Sequence, residues 1–130
     1  MQRQVVGSGG RWEAAIGYSR VVRVGPFVYV SGTTAALPEG GVVGEADAGA
    51  QAREALRRIV KALEQVGADV SDVVRTRAYL TDVAAGEPVG RAHAEVFGAV
   101  RPASAMLVVT GMLDPALLVE IEADAVVAER

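Results

Sequence analysis

The segment LLVEIEADAV, residues 117–126, constrains this chain more than any other. Period-two alternation puts Leu117, Val119, Ile121, Ala123 and Ala125 on one face of a strand and Glu120, Glu122 and Asp124 on the other. A row of carboxylates is expensive to bury, so that face is either solvated or works on something. Upstream lies a second apolar run, SAMLVVT, separated from the first by Gly111, Asp114 and Pro115. Runs punctuated in this way predict two neighbouring strands. The first of them carries Ser104, Met106, Val108 and Thr110 on one face. The unit from Arg101 to Asp124 is therefore where chemistry is expected.

The rest of the chain supplies the partners for these strands. Residues 2–6 (QRQVV) predict a short strand, followed by a glycine cluster at 7–10 that lacks the Lys-Ser/Thr of a phosphate loop. Trp12 to Tyr18 is ambiguous. SRVVRVG and FVYVSG, joined at Gly25-Pro26, predict a hairpin whose second strand puts Phe27, Tyr29 and Ser31 on one face. Residues 34–46 read as an irregular loop. From about Asp47 the period becomes helical: Ala52, Ala55, Leu56, Ile59, Leu63 and Val66 form a stripe that Gly67 ends. Glu54 and Arg58 are spaced as an i,i+4 pair on its polar side. Ser71 to Asp82 predicts another strand, and Ala84 to Phe97 a second helix with Val89, Ala92, His93, Val96 and Phe97 inward.

This order predicts one α+β domain over residues 1–130, a single sheet with two helices on one face. The uncovered face would hold Phe27, Tyr29, Met106 and Val108, an apolar surface that predicts a homo-oligomer. With 51% hydrophobic and 22% charged residues the chain is expected to be ordered. The absence of cysteine excludes disulfides, a thiolate nucleophile and cysteine-ligated zinc, and suits a cytoplasmic location. No signal peptide or membrane span is apparent. A net charge of −3 argues against a nucleic-acid partner. One histidine and no HExxH or EF-hand pattern argue against a metal.

Four segments, IGYSRVVRVGPFVYVSG, the helix around Gln51, VVRTRAYLTD and RPAS…VEIEA, together resemble the RidA/YjgF family of reactive-intermediate deaminases over nearly the whole length. The resemblance implies a chorismate-mutase-like fold and a homotrimer whose sheets line a central barrel, with three clefts between subunits. It implies hydrolysis of small reactive enamines or imines to keto acids and ammonia, without metal or cofactor. Tyr18 matches the family's cleft tyrosine, with Gly17 in place of a proline, and Ser31 and Gly32 match its VSG motif. Glu120 matches the first glutamate of its EIE and would orient or activate water.

The chain departs from the family at Ser104, where active deaminases carry the arginine of PAR, and at Met106, often a cysteine there. That arginine forks a substrate carboxylate; an unpaired carboxylate in a partly buried cleft costs on the order of 3–5 kcal/mol. The expected substrate therefore lacks an α-carboxylate, or has its charge met elsewhere, with Arg77 the candidate cation unless it pairs with Glu122 or Asp124. His93 is expected to pack or hydrogen-bond on its helix rather than catalyse. A metabolite-binding or regulatory trimer without turnover is the alternative reading. An endoribonuclease, a label some of the family carry, is disfavoured by the acidic balance.

Overall fold

The computed structural model describes residues 1–128. Its elements run β1 (Arg3–Val6), α1 (Arg11–Ile16), β2 (Val21–Val24), β3 (Phe27–Thr33), α2 (Ala48–Gln65), β4 (Val73–Leu80), α3 (Gly86–Phe97), β5 (Ala103–Val108) and β6 (Val119–Val126). Single 3-10 turns at Val70–Asp72 and Val83–Ala85 lead into β4 and α3.

One mixed six-stranded sheet has the order β1-β2-β3-β6-β4-β5. The hairpin forms as expected, its turn opened by Gly25 at φ +57°, the positive φ that two-residue hairpin loops require. β6 runs antiparallel to both β3 and β4, while β4 and β5 are parallel and joined through α3. The two C-terminal strands are thus not neighbours: β4 lies between them. The burial pattern gives the reason. Val119, Ile121 and Ala123 are fully buried, whereas every residue of β5 is exposed. The better-buried strand takes the central slot, and β5 is left at the edge.

α2 and α3 cover one face. Asp47 caps α2 by accepting from the Ala50 N–H at 3.0 Å. At the other end the Gly67 N–H donates to Glu64 O and the Ala68 N–H to Leu63 O, a Schellman closure made possible by Gly67 at φ +80°. The predicted stripe from Ala52 to Val66 packs on Val28, Val30, Ala78, Leu80 and the apolar face of β6 in one core. α3 adds Val89, Ala92 and Phe97 to it, with His93 and Val96 partly buried. Among the described residues no helix is long and apolar enough to cross a membrane.

One open stretch is resolved and a further expectation corrected. Trp12 to Tyr18, left open by the sequence, is mostly a short helix, α1. Met106 and Val108 do not share the uncovered face with Phe27 and Tyr29: they register with Ala78 and Leu80, which point to the helices. Leu107 is the β5 residue beside Tyr79 on the open face, which also carries Val5, Phe27 and Tyr29.

Candidate active site

The carboxylate row of β6 lies on the open face, and its members meet different environments. Arg77 on β4 reaches Glu122 at 3.3 Å and Asp124 at 3.2 Å, and the Tyr79 hydroxyl donates to Glu122 at 2.8 Å. Two of the three carboxylates are thereby neutralised or hydrogen-bonded. Arg77 is equally engaged, so it does not stand as a free cation for a substrate. Glu120 differs. It is half-buried, has no hydrogen bond or ion pair to any described residue, and its carboxyl is pushed above the usual range by burial. The nearby Arg20 opposes that shift and Glu122 reinforces it.

The floor beneath Glu120 is Gly32. A Cβ at residue 32 would lie 2.9 Å from Glu120 Cδ and 3.2 Å from Cγ, so the glutamate occupies the space that any other residue would fill. Ser31 directs its hydroxyl proton to Ser19 O at 2.6 Å, which leaves the oxygen's lone pairs as acceptors.

Tyr18 is presented by α1. Glu13, buried at the start of that helix, accepts from the Ser8 N–H at 2.9 Å and from the Ser8 hydroxyl. Its carbonyl accepts from the Gly17 and Tyr18 N–H groups at 2.8 and 3.0 Å. These bonds turn the chain so that Tyr18 emerges beside Arg20, whose guanidinium carbon lies 5.7 Å from the ring centre, at the edge of cation–π range.

Tyr18, Ser31, Gly32 and Glu120 are therefore gathered at one end of the β3–β6 ladder. Ser104 and Met106 are not among them. They lie on edge strand β5, on the helix side, with β4 between them and Glu120. There the Ser104 hydroxyl is 2.8 Å from Thr76 Oγ1, which is itself 2.8 Å from His93 Nε2. Burial lowers the proton affinity of that imidazole, which stacks at 4.7 Å on Phe97. Ser104 thus ends a Ser-Thr-His chain, a juxtaposition that sequence spacing concealed. A site that used both Glu120 and Ser104 would need two copies of the chain. Two depressions of about 300 and 340 Å³ lie around Arg23 and Gly25, at the opposite end of the ladder from Glu120.

Residues 9–127 match the family described as Endoribonuclease L-PSP. A member of the YjgF/YER057c/UK114 family from Mycobacterium tuberculosis superposes with a TM-score of 0.88 at 51% identity, over 97% of this chain and 100% of that one. This chain belongs to the YjgF/Rid family. The uncharacterized protein SCO2049 of Streptomyces coelicolor is 40% identical over 120 residues, 92% of this chain and 89% of that protein. A RutC family protein of Pyrococcus abyssi is 32% identical over 106 residues, 82% of this chain and 83% of its own length.

Membership in the YjgF/Rid family makes the mixed sheet with its two main helices the family fold. Arg20 is the residue of the Glu120 cluster that sequence reasoning passed over. A signal was present: counting back by two from Val22, which registers with Tyr29, places Arg20 on the open face opposite Ser31.

Proposed function

We propose that this YjgF/Rid protein hydrolyses a small reactive imine or enamine, with Glu120 as the group that moves protons. One observation carries the reading: of three half-buried carboxylates in a row, Glu120 alone has no hydrogen-bond or ion-pair partner among the described residues, and burial raises its proton affinity. A carboxylate so placed can take a proton from water as its oxygen bonds to the imine carbon. It can then return that proton to the carbinolamine nitrogen, and as the carbon–nitrogen bond breaks the hydroxyl group loses its own proton to water, giving a carbonyl product and ammonia. The Ser31 lone pairs are available to the N–H of an iminium, and Tyr18 lines the opening. No cofactor or metal enters these steps.

The site is proposed to lie in a cleft between subunits of a homotrimer whose sheets line a barrel. Support comes from the open face, where Phe27, Tyr29 and Leu107 are 42%, 51% and 52% exposed with no helix to cover them. The position of Ser104 on the far side of the edge strand points the same way, because a second copy can bring it to Glu120.

The chain carries serine where the family's carboxylate-holding arginine belongs, so the substrate is not held there as a 2-imino acid would be. The same departure favours a second reading, a trimer that binds a metabolite without turnover. Keto-acid release from an imine generated by an amino-acid oxidase, with semicarbazide as competitor, separates the two. Acceleration by the protein, abolished in Glu120→Gln, supports hydrolysis. Unchanged hydrolysis by that variant removes Glu120 from the mechanism. No acceleration by either the protein or its Ser104→Arg variant, with metabolite binding in a thermal-shift screen, favours the binder. Native mass spectrometry tests the trimer; a monomer at micromolar concentration would refute it.

A further inference from the structure

The described residues include four half-buried arginines, Arg20, Arg23, Arg58 and Arg77, and three of them are well supplied with acceptors. Arg23 donates to Gly25 O and Val66 O at 2.9 and 2.7 Å. Arg58 donates to Glu54, Thr34 O and Ala36 O at 2.7, 2.8 and 2.8 Å. Arg77 is held by two carboxylates. Arg20 makes one hydrogen bond, from Nη2 to Gly32 O at 2.8 Å. Its Nε is buried with no acceptor, and its Nη1 has no partner among the described residues. A guanidinium presents five N–H donors in a rigid plane, and an arginine with nothing to hold would extend into water rather than shut one of them away.

The backbone shows why it does not. The Arg20 N–H donates to Val6 O at 2.9 Å and its carbonyl accepts from the Ser31 N–H at 3.0 Å, which fixes its Cα between β1 and β3. The bond to Gly32 O then brings the cation to the residue that floors Glu120, next to the Tyr18 ring.

We propose that Arg20 is the anion anchor of the Glu120 site and takes a carboxylate of the substrate. The charge missing at residue 104 is thereby supplied by Arg20, on the other face of the sheet from Ser104. This rests on the reading of the Glu120 cluster as a substrate site, but it can be tested without turnover. The planar fork matches a carboxylate better than a lysine ammonium does. Arg77 is excluded from the role by its two carboxylate partners.

The probes are pyruvate, a small keto-acid product, and its uncharged methyl ester, titrated calorimetrically and by ¹H–¹⁵N spectra of the arginine side chains. In the unsubstituted protein, pyruvate should shift the Arg20 guanidinium signals and the ester should not. Arg20→Gln should weaken pyruvate at least roughly tenfold and leave the ester unchanged. Arg91→Gln, at an exposed ion pair on α3, should change neither. Equal affinity for pyruvate and ester, or Arg20 signals that do not move, overturns the proposal, and neither result depends on a variant's folding. A changed assembly mass in Arg20→Gln with pyruvate affinity retained would assign Arg20 to a subunit contact and also overturn it. Pyruvate binding through Arg20 without imine hydrolysis would leave the anchor standing and remove the catalytic reading; hydrolysis with no carboxylate preference would do the reverse.

Discussion

The position that most sharply separates function from stability is Gly32. Its backbone lies outside the left-handed region, so Gly32→Ala adds a methyl group without backbone strain. That methyl would lie 2.9 Å from Glu120 Cδ, overlapping the carboxylate. The carboxylate oxygen would lie closer still, and non-bonded contacts relax only at about 3.5–4.0 Å, so the carboxylate must retreat by more than about 1 Å. Glu120 ends in a flexible side chain, and a forced rotamer costs about 0.5–1.5 kcal/mol. Replacing glycine by alanine in the unfolded chain returns about 0.4–1 kcal/mol. The melting temperature should therefore move by no more than a few degrees, at about 2–8 °C per kcal/mol for a domain of this size. The proposed hydrolysis is less forgiving, since a misplacement near 1 Å costs up to about a hundredfold, or some 2.7 kcal/mol of barrier. Thermal melts, semicarbazide-competed hydrolysis and ¹³C titration of the Glu120 carboxyl make the comparison. The expectation is a near-native melt, a tenfold to hundredfold slower reaction, and a Glu120 titration moved back toward the ordinary carboxylate range. An unchanged rate and titration, or a melt lowered by more than about 10 °C, would show that Gly32 does not seat Glu120 in this way.

Other substitutions read other contacts. Glu120 binds its proton more tightly folded than unfolded, so its contribution to stability is full below the ordinary carboxylate pKa and is lost as pH rises through the raised folded value. Glu120→Gln should thus melt higher than the parent at pH 7, with the gain gone near pH 4; a gain that persists in acid would contradict it. Gln51 is fully buried and serves three backbone groups, donating to Gly44 O and Ala116 O at 3.1 and 3.0 Å and accepting from the Leu118 N–H at 2.9 Å. Gln51→Leu leaves all three without their partner and should cost about 3–5 kcal/mol in chemical denaturation; a loss under about 1 kcal/mol would mean that water replaces it. Thr76→Val removes the hydroxyl between His93 and Ser104 and should cost about 1–2 kcal/mol. Burial disfavours the charged form of His93, so stability should fall as pH drops below about 6.5; that acid slope should vanish in His93→Gln.

Legibility in the sequence followed amphipathic contrast. α2 was readable because six apolar residues keep helical spacing against a charged side, and β6 because alanine, isoleucine and valine alternate with carboxylates. β5 offered no such contrast: Ala105 and Leu107 on one side are as apolar as Met106 and Val108 on the other, so alternation defined two sets without saying which meets the helices. Its separation from β6 was hidden for a related reason. Strands adjacent in sequence usually pair, and only the complete burial of the β6 apolar face shows that it needs neighbours on both sides. Tyr18, Ser31, Gly32 and Glu120 could be named from motif resemblance. Arg20 was marked by alternation alone, and the bonds that Arg20 and Thr76 make were hidden because their partners lie 12, 28 and 17 residues away and pair only once the sheet has formed.

The same central slot explains why Glu120 differs chemically from Glu122 and Asp124. All three share one face of β6, but β4 presents its arginine at Arg77, in register with Glu122, and a tyrosine at Tyr79, in register with Glu120. The Tyr79 hydroxyl is already committed to Glu122. On the other side, the β3 ladder is shifted between Val30 and Thr33, which brings the bare Cα of Gly32 beneath the Glu120 side chain instead of a polar neighbour. Register on one flank and a bulge on the other thus deny Glu120 the partners its neighbours have, while Gly32 gives it room to sink from water. A raised proton affinity follows from that deprivation. Restoring a partner should abolish it: Tyr79→Arg would place a second guanidinium directly across from Glu120. Its ¹³C-detected titration should then drop below that of the parent, and hydrolysis should fall with it. A faster reaction in that variant would mean that the ionised carboxylate alone drives the chemistry, and that burial of Glu120 serves only the fold.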